Sequence, residues 1–388
     1  MDVVFVIQRY GEEVAGGAET LCRQTAGALA DAGHSVRVHT TTARDYLTWA
    51  AHYPAGISTD GGVAVHRHAV SEADPAMASA LVRRLGLDAS DGDAERAWAL
   101  AQGPVAPGLV DAVRGMDPGG LLVCWTYLYA TTQLAMAAAV GPTVLVPLAH
   151  NEPMLRFPIT RGVMRRADGF AFMTPEEALL VDDLHGIGGR PVEIVGAGLA
   201  PATPSEAAAA RAGFALPDRF ALYLGRIDPA KGIDELLRAH AGYRAGGGEL
   251  ELVLAGRATV PMEFPDWVVT TGFVTEKQRA SLIDAASCVV LPSRHESLSL
   301  VALEAWQRST PTLANGHSEV LAGQTRRSGA GRIYIDEGEY ARELAAIAGN
   351  VAECQAMGMR GAHFASDATW PACVDRWERL LSTVAGEA

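Results

Sequence analysis

The sequence predicts an α/β protein made of two Rossmann-like parallel-sheet domains facing a cleft. Three observations lead there. Short β-branched runs alternate with amphipathic helical stretches, the pattern of parallel strands covered by helices. At 388 residues the chain exceeds one ordinary core. The alternation also stops at Pro201-Ala-Thr-Pro-Ser-Glu, whose composition suits a linker, and then begins again. The expected domains are therefore 1–198 and 199–369, and the cleft between two such halves suits a two-substrate reaction.

Taken in order, Val3–Gln8 reads as the first strand, followed by a glycine-rich turn, a helix over Ala18–Ala30 and a strand at Val36–Thr40. Residues 42–62 are the least regular part of the first half and are expected to form an acceptor-side loop. Strands follow at Val63–His68, Leu121–Trp125, Thr143–His150, Gly169–Met173 and Val192–Val195. The second half opens with a strand at Phe220–Leu224 and a helix at Lys231–His240. Further strands are expected at Leu250–Ala255, Val268–Thr271, Val289–Pro292 and Arg332–Asp336. The amphipathic segment Trp370–Val384 comes after the second core should be complete.

Composition excludes several classes. A formal net charge of −13 argues against nucleic-acid binding, which needs a basic footprint. No apolar run reaches 18 residues, so no membrane span is expected. Met1-Asp-Val-Val-Phe-Val-Ile lacks a basic start and a cleavage site, and reads as a strand rather than a leader. The five cysteines are scattered with no CxxC pair, which fits a reducing cytoplasm; peripheral membrane association stays open.

Four constellations carry candidate chemistry. The first is Gly225-Arg-Ile-Asp-Pro-Ala-Lys231-Gly232, which follows a strand and opens a helix. Arg226 offers a planar fork and Lys231 a point charge, together suited to a departing diphosphate. A solvated loop is the ordinary alternative. Against it, Lys231 and Lys277 are the only lysines among 32 basic residues. The second is Glu296, in the polar loop after the apolar strand, with Glu304 two turns into the next helix. A carboxylate accepts from two vicinal hydroxyls, so Glu304 suits a ribose diol and Glu296 a sugar hydroxyl. Taken alone, both read better as ordinary loop and helix acids than as a site. The third is Ala15-Gly16-Gly17-Ala18-Glu19, whose bare N–H groups suit a phosphate or sugar, although it is not a GxGxxG fingerprint. The fourth is His150-Asn-Glu-Pro153 at a strand end, where a histidine can orient or protonate groups at a reacting centre; a hydrogen-bonded loop histidine explains it as well. His66, His68 and His185 read as structural.

Together these motifs resemble the retaining glycosyltransferases of the GT-B fold, specifically glycosyltransferase family 4 (glycosyl transferases group 1). The similarity is carried by Gly16-Gly17-Ala18-Glu19, Ala32-Gly33-His34-Ser35-Val36, Tyr53-Pro-Ala-Gly56, His150-Asn-Glu-Pro153 and Leu224–Gly232. It continues through Val253-Leu-Ala-Gly256, Thr271-Gly-Phe-Val274 and the E-x7-E pair Glu296…Glu304. The resemblance implies that Arg226 and Lys231 bind the donor diphosphate and Glu304 the ribose. It implies that Glu296 and the backbone amides of Ser297, Leu298, Ser299 and Leu300 hold the transferred sugar. Gly16 and Gly17 would close over the sugar–phosphate region, His150 would lie near the anomeric carbon, and the base would be read around Phe273 and Val274. The terminal segment 370–388 would pack back on the first domain. Two departures stand out. Ser299 replaces a usual glycine and is expected to influence donor identity, and Asn315-Gly316-His317-Ser318-Glu319 stands where a Gly-Gly pair is common.

The implied reaction moves a sugar from a nucleotide diphosphosugar to an acceptor hydroxyl with retention, the leaving diphosphate taking the acceptor proton on the same face. The chain is read as lacking an Asp-x-Asp dyad, so neither an essential metal nor a cofactor is expected. The alternatives are a catalytically silent sugar-binding subunit and a nucleotide-sugar epimerase. Residues 1–198 hold 14 Arg against 22 Asp plus Glu, an acidic balance favouring a soluble metabolite, natural product or glycan as acceptor over an anionic phospholipid. Donor sugar, nucleobase and oligomeric state are not fixed by the sequence.

Overall fold

The computed structural model describes residues 1–14, 16–46, 48–71, 73–85 and 92–386. Ala15 of the glycine-rich motif, Leu47 of the expected loop and residues 387–388 of the terminal segment lie outside that set. The chain forms two compact units: Met1–Ala197 with Trp370–Ala388, and Gly198–Thr369.

The first unit is built on eight strands: β1 (Asp2–Val6), β2 (Ser35–Thr41), β3 (Gly56–Asp60), β4 (Val63–His68), β5 (Leu121–Trp125), β6 (Thr143–Val146), β7 (Gly169–Phe172) and β8 (Val192–Ile194). Their order is β3-β4-β2-β1-β5-β6-β7-β8. All neighbours run parallel except β3 and β4, which pair antiparallel from Gly56↔Arg67 to Asp60↔Val63. Gly61 and Gly62 join them with φ values of 55° and 83°, the left-handed pair a two-residue hairpin requires. The end of the segment expected to be irregular is thus an edge strand. Its Ile-Ser-Thr residues stay exposed, so no buried apolar alternation marks it. The expected strand at Thr143–His150 is shorter than read, ending at Val146 before Pro147 and a left-handed Leu148 (φ 50°).

Strands β1, β5, β6 and β7 are almost wholly buried, as expected of a sheet covered on both faces. On one face Val4, Val6, Leu122, Cys124, Leu145, Phe170 and Phe172 form a continuous core with the crossover helices. On the other, Phe5 and Trp125 meet Trp377 of the terminal helix Trp370–Ala385 at ring-centroid distances of 6.1 and 6.0 Å. Cys373, Trp377, Leu380 and Leu381 supply that helix's buried stripe, the i, i+4, i+7, i+8 spacing of an amphipathic helix.

The second unit holds six strands: β9 (Phe220–Leu224), β10 (Glu251–Ala255), β11 (Val268–Gly272), β12 (Cys288–Leu291), β13 (Thr312–Asn315) and β14 (Gly331–Tyr334). The order is β11-β10-β9-β12-β13-β14, with every pair parallel. Strand β13 escapes sequence reading because Thr-Leu-Ala-Asn is short and shows neither alternation nor a β-branched run. The helix expected from Lys231 begins instead at Ile233, after a 3₁₀ turn Pro229–Lys231, and runs to Ala245. Glu304 lies one turn, not two, into its helix, Leu300–Gln307. Strand order reverses between β9 and β12, so the crevice for a ligand falls past their carboxyl ends.

Candidate functional site

The loops after β9 and β10 interlock at that switch point. Gly256 has a φ of 155°, and a Cβ there would collide with the carbonyl of Gly225, so only glycine lets the two loops touch. Asp228 then caps the 3₁₀ turn, accepting from the Ala230 amide at 2.9 Å and from the Thr259 hydroxyl at 2.8 Å. Burial pushes its carboxyl up, but these donors outweigh it and hold the group below the usual range. A Cβ on Gly232 would stand 2.7 Å from the carbonyl of Pro292, so the turn carrying Lys231 lies directly on the end of β12.

That packing brings two sequence-predicted residues together. The Lys231 ammonium donates to Glu296 Oε1 at 2.8 Å, with both side chains partly open to solvent. Tyr223 lies close by: its hydroxyl donates to the Arg226 carbonyl at 2.5 Å. Burial and then the Glu296 charge push that phenol up, while Arg226 opposes them. The loop is anchored from β13, where the Asn315 amide donates to the Pro292 carbonyl at 2.8 Å.

Ser299 is engaged within its own unit. Its hydroxyl caps the helix Leu300–Gln307 by accepting from the Ala302 amide at 3.2 Å, and its own N–H donates to Gln324 Oε1 at 3.1 Å. Both groups are engaged, and the residue is buried. The N–H groups of Leu300 and Val301, in the first turn, have no intrahelical acceptor. One turn on, Glu304 Oε1 pairs with Arg279 at 3.1 Å, whereas its Oε2 is buried without a hydrogen-bond partner. Burial raises this carboxyl, with Arg279 opposing. At the end of β11 Phe273 is 73% exposed and Val274 packs against the unit's core.

The remaining predicted residues lie in the first unit. A Cβ on Gly16 would collide with the buried carboxylate of Glu19, which accepts from Gln8 at 2.9 Å and Arg9 at 2.5 Å. Gly17 has nothing within 4 Å of its would-be Cβ and opens the helix Gly17–Asp31. His150 follows β6, its Nδ1 standing 3.4 Å from Glu152 Oε1; the Tyr127 hydroxyl donates to the same oxygen at 2.5 Å. Beneath the loop, Glu177 is fully buried and accepts from the amides of Ala149 and Met173 at 2.7 and 2.8 Å. Burial pushes its carboxyl up to about 7 against the pull of these donors.

The structure resembles solved glycosyltransferases over its whole length. It is similar to sucrose-phosphate synthase from Thermosynechococcus elongatus (TM-score 0.72, 18% identity, 100% of both chains covered). It is also similar to the Anabaena protein HepE in complex with UDP and glucose (TM-score 0.70, 17% identity, 99% of this chain and 100% of the other covered). The fold is GT-B. Within this GT-B chain, residues 218–353 match the glycosyl transferases group 1 family model. A D-inositol 3-phosphate glycosyltransferase of Nocardia farcinica is 29% identical over 259 residues, 60% of this chain and 56% of that protein. The chain spans about half the length of the curated relatives it matches.

Sequence reading of this GT-B protein overlooked Tyr223, Arg279, Gln324 and Tyr127, and named Glu152 and Asn315 only as members of longer motifs. A faint signal existed for the segment holding Arg279, since Thr275-Glu-Lys-Gln278 is a capping box that fixes its helix. One correction concerns metals. The chain does contain an Asp-x-Asp, Asp91-Gly92-Asp93, in the first half. Asp91 lies outside the described residues, and Asp93 pairs with Arg96 on an exposed helix face. Among the described residues no group of three or more His, Cys, Asp or Glu is arranged to hold a metal ion, and no helix is long and apolar enough to cross a membrane.

Proposed function

We propose that this chain is a retaining glycosyltransferase of family 4, moving a sugar from a nucleotide diphosphosugar to an acceptor hydroxyl without an essential metal. The observation that carries the reading is the 2.8 Å contact between Lys231 and Glu296, which gathers a diphosphate-binding cation and a hydroxyl-accepting carboxylate at one switch point. Arg226 and Lys231 neutralise the departing diphosphate, and its oxygen takes the acceptor proton on the face where the new bond forms. Glu296 holds a sugar hydroxyl and frees Lys231 for phosphate when the donor arrives. Glu304 offers its unpartnered Oε2 to the ribose diol. Phe273 presents an open ring to the base, and Gly16, Gly17 and His150 serve the transferred sugar.

The UDP and glucose bound by HepE make uridine diphosphosugars the donors to try first. The acceptor named for the curated relatives places inositol phosphates in the acceptor panel. UDP-, GDP- and ADP-sugars are incubated with the protein in EDTA, nucleotide release is followed, and the anomeric configuration of product is read by NMR. Release with retention is expected. Arg226→Ala and Lys231→Ala should each lower kcat/KM by about 10²–10³-fold with unchanged melting. Inverted product, epimerised donor, or full activity in both variants would overturn the proposal.

A further inference from the structure

We propose that Glu177 is a positioning residue whose carboxylate pins the strained turn that presents His150. This inference rests on the reading of His150 as a sugar-transfer residue. Strand β6 ends at Val146, and the chain reaches His150 through Pro147, Leu148 and Ala149. Leu148 sits in the left-handed region at φ 50°, where its Cβ crowds the following carbonyl. A residue persists there only when its surroundings hold it, and such strain gathers at functional sites. The amide that follows it is the one Glu177 takes: the Ala149 N–H donates to Oε1 at 2.7 Å. The other carboxylate oxygen takes the Met173 N–H at 2.8 Å, at the end of β7. One side chain thus ties together the loops that leave two neighbouring strands.

The local sequence fixes where that carboxylate stands. Pro175 opens the helix Pro175–His185, and the Thr174 hydroxyl caps it by accepting from the Glu177 amide at 3.3 Å. Glu177 is held in the first turn, fully buried, with its side chain turned back over the strand ends. Two amide donors need two acceptor oxygens, and an ionised carboxylate supplies both. Protonation weakens one acceptor and adds a hydrogen that meets two donors. Burial brings this exchange near neutrality, lifting the carboxyl to about 7 against the Met173 and Ala149 amides and the His150 charge. Strand β7 presents the uncharged Gly-Phe-Ala-Phe, and Glu176 shares the helix. The helix Pro158–Arg166, packed on the same helix, turns Arg161, Arg165 and Arg166 to solvent. His150, on the held loop, is the charged group that acts on the carboxyl. The turn is therefore pinned above neutral pH and loosened below it.

The test reads the two amides directly by ¹H–¹⁵N correlation of the full chain labelled with ¹⁵N-alanine and ¹⁵N-methionine. Ala149→Ser and Met173→Leu assign the signals, which are followed without substrate from about pH 5 to 9. In wild type both amides should share one titration step, with its midpoint near 7. That shared step should vanish in Glu177→Gln, whose side chain keeps a single acceptor oxygen. With donor and acceptor present, Glu177→Gln should lower kcat at least about tenfold at about pH 8, with little change in donor KM. The ratio of wild-type to variant kcat should shrink toward about pH 6, and any titration common to both cancels in it. Amides with no shared step in wild type overturn the inference whether or not the variant folds. Undiminished kcat, or a ratio level with pH, overturns it as well. Absence of turnover with the shared step intact would instead sink the sugar-transfer reading and uphold the clamp.

Discussion

Glu304 joins two opposed demands in one side chain. Its Oε1 is paired with Arg279, while Oε2 is buried and unpaired, and burial raises the carboxyl above its ordinary range. A raised carboxyl contributes stability that is present below the unfolded value, near 4.5, and lost as pH rises through the folded value. Glu304→Gln should therefore melt no lower than wild type at pH 8 and bind nucleotide at least about tenfold more weakly, read by calorimetry on both counts. Lower melting with unchanged binding would contradict it. Glycines separate folding from function just as sharply. Gly256→Ala forces a Cβ into the Gly225 carbonyl in a left-handed conformation, and soluble yield or melting temperature should fall steeply. Gly17→Ala meets nothing within 4 Å and should leave melting unchanged, so any activity it loses reports a demand made by ligand.

Strands β2 and β4 carry a feature that neither shows alone. His39 is the register partner of His66, the two rings stacking at 4.7 Å, and His39 Nδ1 meets His68 Nε2 at 3.0 Å. Burial, then His66, His68 and Arg37, push His39 down to about 3, and burial also lowers His66 and His68. The helix Pro107–Arg114 closes over His68 through Gly108, a residue without charge. The folded state thus refuses protons that unfolded histidines accept below about 6.5, so stability is intact above that value and falls as pH drops toward 3. Melting temperature should decline between pH 7 and 5, and less steeply in His39→Gln; parallel declines would absolve the cluster. Sequence reading took His66 and His68 as structural but missed His39, because register between strands is written in neither. The same limit hid Gln324 and Asn315, whose roles exist only once β12 and β13 are neighbours. What was legible was local: buried apolar runs gave most strands, and scarcity singled out Lys231 before its contact with Glu296 was known. The residue type of Ser299 allowed either a ligand or a cap, and the helix start takes the hydroxyl.

At the scale of the whole molecule the two units differ in continuity. Gly198–Thr369 is one uninterrupted stretch, while Met1–Ala197 is completed only by the terminal helix. That helix buries Trp377 against Phe5 and Trp125, and Arg376 donates to the Val195 carbonyl at 3.0 Å. Arg379 pairs with Glu193 and His34 with Glu378, each at 2.9 Å. Residues 198–369 expressed alone should melt cooperatively and bind nucleotide, whereas a chain ending at Thr369 should aggregate through the uncovered face of the first sheet. Trp377→Ala should cost about 3–5 kcal/mol, measured by denaturant unfolding. A soluble, cooperatively folding chain without the helix would refute this. The order of synthesis then acquires a meaning. A ribosome releases the first sheet early yet withholds its covering helix until the entire second unit has emerged. During that interval Phe5 and Trp125 are open to other chains, so the half made first is the half that finishes last, and chaperone dependence should concentrate there.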